Sequence, residues 1–122
     1  MMKIYTLGNP LLKKDRLALE VAEELKNKLE VEFVEFDPIE TIEGDVWLMD
    51  VVKGVKDVEL ITEDHFEKNK VYSMHDLDLS HMLALLKKTG KIKSFKLIAI
   101  PFGMKKKEAA KKVERLLKSL SI

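Results

Sequence analysis

Asp45-Val46-Trp47-Leu48-Met49-Asp50-Val51-Val52 decides the fold. The run is apolar on successive residues rather than on alternate ones, and Lys53-Gly54 closes it, which is the pattern of a strand covered on both faces. Such a strand belongs inside a parallel sheet. One carboxylate, Asp50, stands near its end.

On the N-terminal side, Lys3-Ile4-Tyr5-Thr6-Leu7 is β-prone and stops at Gly8-Asn9-Pro10, a turn-forming cluster. From Asp15 to Leu29 the apolar residues Leu17, Ala18, Val21, Ala22, Leu25 and Leu29 recur at helical spacing. Val31 to Phe36 then reads as a second strand, broken by Asp37-Pro38 and placed near a sheet edge. On the C-terminal side, Val58 to Thr62 is a weaker extended segment and Val71 to Met74 another. A helix follows with Leu79, Met82, Leu83 and Leu86 on one face. Ser94 to Ile100 is the last strand, ended by Pro101, and Lys106 to Leu120 makes a final helix around Ala109, Val113, Leu116, Leu117 and Leu120. Strands alternating with helices imply right-handed crossovers. The expected fold is therefore three-layer α/β: a mostly parallel twisted sheet with helices on both faces, of the phosphorylase or flavodoxin-like type. No repeat or linker divides the chain, so residues 1–122 are read as one domain.

The composition fits a folded globular protein: 46% of the 122 residues are hydrophobic and 35% charged. A net charge of +1 gives no global reason to expect nucleic acid as a partner, and no aromatic stacking platform accompanies Lys105-Lys106-Lys107. The absence of cysteine excludes disulfides and thiolate metal sites. No run reaches membrane-spanning length and the first residues lack the pattern of a signal peptide, so a cytoplasmic protein without membrane insertion is expected.

In open α/β sheets ligands collect outside the carboxyl ends of the strands. Asp15 follows the first strand, Asp50 closes the central one and His75 lies beyond Val71–Met74, so all three are assigned to that end. Two carboxylates and an imidazole suit nickel, zinc or cobalt better than calcium or magnesium, and three protein ligands leave coordination positions open. Each residue has a plainer alternative: Asp15 as a helix N-cap, Asp50 as a turn former and His75 as a loop residue. Gly8-Asn9-Pro10 lacks the glycine pattern of a phosphate loop, and His65 and His81 read as surface residues.

Taken in order, these motifs resemble the hydrogenase maturation endopeptidases, which process the large subunit of nickel-iron hydrogenases. The likeness is carried by Leu7-Gly8-Asn9-Pro10-Leu11-Leu12 with Asp15, then Val46-Trp47-Leu48-Met49-Asp50 with Gly54, then Ser73-Met74-His75. Leu79 to Leu86 and Ile98-Ala99-Ile100-Pro101 extend it across most of the chain. The resemblance implies an enzyme that recognises nickel carried by the large-subunit precursor, or another divalent metal such as zinc, and removes the precursor's C-terminal peptide. It implies Asp15, Asp50 and His75 as the metal-contacting positions, with Asp50 and Asp15 in the chemistry. The first loop departs from the family pattern of two acids and a glycine: Lys14 precedes Asp15 and Arg16 follows it. A non-catalytic homologue that docks on a hydrogenase or other metalloprotein is the alternative, and a generic flavodoxin-like small-ligand domain a third reading.

Overall fold

In the computed structural model the apolar run becomes β3, Gly44–Lys53, the strand to which most of the sheet attaches. The structure describes residues 2–7, 16–36, 44–62, 72–73 and 88–120. Within them lie β1 (Met2–Thr6), β2 (Val31–Glu35), β4 (Glu59–Thr62), β5 (Tyr72–Ser73) and β6 (Ile92–Pro101), with helices α1 (Leu17–Leu25) and α2 (Lys106–Ser119). The order across the sheet is β2-β1-β3-β6-β4, and β5 also pairs with β3. β2, β1, β3 and β6 run parallel.

β4 runs antiparallel to β6, from Glu59 opposite Ala99 to Thr62 opposite Lys96. The reason is chain length. Only Gly54 to Val58 separates β3 from β4, whereas a parallel crossover takes about a dozen residues or more. The chain can pass over the end of β6 and return, but it cannot travel back to the sheet's other end first. β2 lies at the sheet edge, as its alternation indicates.

Alternation along β3 divides the core. Met49 and Val51, with Ile4, Ile98 and Ile100, face Ala18, Val21, Ala22 and Leu25 of α1 and Ala109, Ala110, Val113 and Leu117 of α2. Leu48 and Val52 face the other way, with Leu7, Ile61, Leu97 and Ala99. Both described helices thus pack on one face. The opposite face is equally buried, and the Leu79–Leu86 helix expected in the sequence lies outside the described residues.

α1 is shorter than its apolar periodicity suggests. It ends at Leu25, where Lys26, Asn27 and Lys28 carry the chain out into a turn. Leu29 still packs on the helix-side core, but from beyond the helix. Among the described residues no helix is long and apolar enough to cross a membrane.

Candidate functional site

The chain reverses its direction of travel across the sheet between β1, which leads outward to β2, and β3, which leads toward β6. In open α/β sheets such a switch is where ligands bind, in the crevice outside the carboxyl ends of the strands, here those of β1 and β3. β1 pairs with β3 only as far as Thr6 opposite Met49, and the Leu7 N–H then donates to the Met49 carbonyl at 2.9 Å. β5 takes up pairing again at Val52 opposite Ser73. Asp50 and Val51 fall between these two partners.

The gap explains how Asp50 is held. Residues two apart on a strand turn their backbone groups to the same side, so Val51 points its N–H where Met49 points its carbonyl, past the end of β1. The Asp50 carboxylate accepts this N–H on Oδ1 at 2.8 Å. Asp50 itself is 0% exposed. By alternation its side chain shares the face of Leu48 and Val52, and across the ladder it sits opposite Ala99. Burying a carboxyl group among such neighbours is costly unless hydrogen bonds or charge partners offset it. Strand physics would place an apolar side chain here.

This position corrects one sequence expectation. Asp50 does not close the strand but lies within it, since β3 continues through Val51 and Val52 to Lys53. A turn-forming role is thereby excluded, and the turn belongs to Gly54, whose φ of 99° suits a residue without a Cβ. The N-cap position of α1 is taken by Arg16, which makes no side-chain cap, rather than by Asp15. Asp15 and His75 themselves lie outside the described residues. Among the described residues no three His, Cys, Asp or Glu side chains are grouped to hold a metal.

Two further features were not legible in the sequence. Glu59 of β4 and Asp50 of β3 flank Ala99 in one row, so their side chains rise from the same face. Two strand spacings, roughly 9.6 Å, separate their backbones, with only the small side chain of Ala99 between them. At the rim, Phe102 is 49% exposed, with Lys53 Nζ 5.6 Å from its ring centroid, and its N–H donates to the Val52 carbonyl. Phe102 follows the last strand directly, and only the pairing of that strand with β3 brings it beside the crevice.

A surface ion pair braces the β3–β4 connection. Lys112 Nζ of α2 lies 2.7 Å from Asp57 Oδ1. Its hydrogen bond holds the Asp57 carboxyl below its ordinary range, aided by the Val58 N–H, and the same bond raises Lys112.

No protein-family model matches the chain, and no curated protein matches it by sequence. The solution structure of an endopeptidase from Escherichia coli is similar in fold: the match covers 100% of this chain and 95% of that one, with a TM-score of 0.58 and 16% identity. At that identity the likeness speaks for the α/β fold.

Proposed function

We propose that this chain is an endopeptidase that recognises nickel in the large-subunit precursor of a nickel-iron hydrogenase and removes the precursor's C-terminal peptide. The observation that carries the proposal is Asp50: a fully buried carboxyl group, inside the central strand, at the crevice where this fold binds ligands. The fold shared with an Escherichia coli endopeptidase supports the peptidase reading. Chain order supports the site. Asp15 immediately precedes Arg16 at the start of α1, and His75 comes two residues after Ser73, which pairs beside Asp50 at Val52.

In this reading the nickel belongs to the substrate. Asp15, Asp50 and His75 form a donor set that suits nickel or zinc, and a metal held there would supply polarisation of a carbonyl oxygen. Asp50 supplies the acid–base step. Its carboxylate takes a proton from the attacking water and returns it to the departing amine, so that the C–N bond breaks and a new carboxylate and a free amine remain. The Val51 N–H, donating to Oδ1, helps orient the carboxyl group. In sequence Asp15 lies between Lys14 and Arg16, two cations that would oppose a metal cation, which suits transient recognition better than permanent metal storage.

A second reading rests on Phe102. An exposed aromatic residue under a lysine at the crevice rim is a contact surface in its own right, and a homologue that docks on a metalloprotein without cutting it would need no more. The deciding experiment incubates the protein with a nickel-loaded large-subunit precursor and follows release of the C-terminal peptide. Cleavage supports the peptidase. Stable complex formation without cleavage would favour the docking homologue.

A further inference from the structure

A second site lies on the other face of the sheet, away from Asp50. A groove of about 300 Å³ opens where α1 stands over the ends of β1 and β2, at the lower end of the usual volume of small-molecule sites. Thr6 lines it from β1, Phe33 and Glu35 from β2, Ala22 and Glu23 from α1, and Lys26 from just beyond the helix. Register accounts for this set. Ile4 faces α1 and pairs with Phe33, so Thr6 and its partner Glu35, each two residues further on, turn to the same side.

Two groups in the groove are left unanswered. Thr6 is 1% exposed, yet among the described residues its Oγ1 has no hydrogen-bond partner. A buried hydroxyl in that state is costly, and valine would fill the same strand position without the penalty. The charges are equally uneven. Lys26 Nζ sits 2.6 Å from Glu23 Oε1, so those two neutralise each other, whereas Glu35 has no cationic partner among the described residues. The groove thus presents one hydroxyl, one unbalanced carboxylate and an apolar wall formed by Phe33 and Ala22.

We infer that this groove binds a small organic cation of the alkylammonium class. The ammonium group pairs with the Glu35 carboxylate and donates one N–H to Thr6 Oγ1, while the alkyl stem lies against Phe33 and Ala22. An anion would meet Glu35 with Lys26 already engaged, and a neutral alcohol would satisfy Thr6 but leave the charge unanswered. Because Asp50 faces the opposite side, this site does not depend on the peptidase reading.

Amide chemical shifts of the full chain, titrated separately with hexylammonium, hexanol and hexanoate, provide the test. Hexylammonium should shift the amides of Thr6, Glu35 and Lys26 saturably, and bind at least about tenfold more tightly than the other two. Glu35→Gln and Thr6→Val should each weaken it by about fivefold to tenfold. Thr6→Val should melt at or above the wild-type temperature, since it removes an unpaired buried hydroxyl. Absence of a saturable shift, equal binding of hexanol, or unchanged affinity in either folded variant overturns the proposal. If Thr6→Val does not fold, Glu35→Gln, on the exposed rim, still decides.

Discussion

β3 and β6 are both ten residues long and lie side by side in parallel register, yet they are built differently. Leu48 faces Leu97, Met49 faces Ile98 and Val51 faces Ile100, apolar against apolar. In the row between, Asp50 faces Ala99. β6 is apolar throughout this stretch and follows packing alone. β3 gives up one packing position to a carboxyl group, and its partner there is the smallest apolar side chain. A local breach of the core pattern, in an otherwise consistent strand, marks a place where chemistry competes with stability.

Replacing Asp50 by Asn is the severest way to break that contrast. Asn keeps the shape and can still accept the Val51 N–H, but it removes the charge. The variant should fold, and precursor cleavage should fall by about 10²- to 10⁴-fold, the usual worth of a positioned acid–base group. Wild-type cleavage rates in a well-folded Asp50→Asn protein would remove Asp50 from the mechanism. Leu48→Ala and Leu97→Ala test the neighbouring row from both strands. Each should cost about 2–5 kcal/mol in a denaturant titration, and the two should cost alike, because both side chains are fully buried on the same face.

Ala99→Leu makes β6 resemble its own flanks and so removes the asymmetry from the other side. It should cost about 1–3 kcal/mol by overpacking, and crowding beside Asp50 should slow cleavage more than the stability loss alone explains. A variant as stable and active as wild type would mean that the small residue has no bearing on the carboxyl group.

The smallest effect should come from the exposed counterpart of the buried carboxyl, Asp57. Its acidity is increased by Lys112, so the ion pair adds stability above the ordinary carboxylate range, and this is lost as pH falls through the lowered value. Lys112 is shifted upward, and its share is lost only as pH rises through that raised value, above 10.5. Asp57→Asn should therefore flatten the acid limb of a melting-temperature profile slightly, and high salt should erase the difference. An acid limb unchanged from wild type at low salt would show that the pair contributes nothing.

How much of this was legible in the sequence depends on the range of the forces involved. The unbroken apolar run announced a central strand, and turn residues marked the ends of β1 and β6, because those signals are local. The direction of β4 was set by a short connection and a sheet neighbour distant in sequence. α1 stops at Leu25, where the exposed Lys26 to Lys28 form a turn, and Leu29 packs on the core from beyond it, an arrangement the periodicity does not distinguish from a longer helix. At the site, Asp50 could be singled out from its residue type and place, but its depth could not, since burial there depends on β6 and on the gap beyond β1. Glu59, Phe102 and the Thr6 groove all arise from pairing between strands and carry no local signal. Asp15 and His75 lie outside the described residues, so their convergence on Asp50 stands as part of the proposal.

The placement of β3 between β1 and β6 also governs how the molecule is made. Its parallel partners β1 and β6 come from opposite ends of the chain, so its ladder closes only after large loops have been drawn together, which slows folding relative to a protein of local contacts. During synthesis β3 leaves the ribosome well before β6 exists. Until β6 arrives, one edge of this strand and its apolar face away from α1 are open to any other chain, so the strand that organises the finished sheet is exposed to aggregation while it is being made.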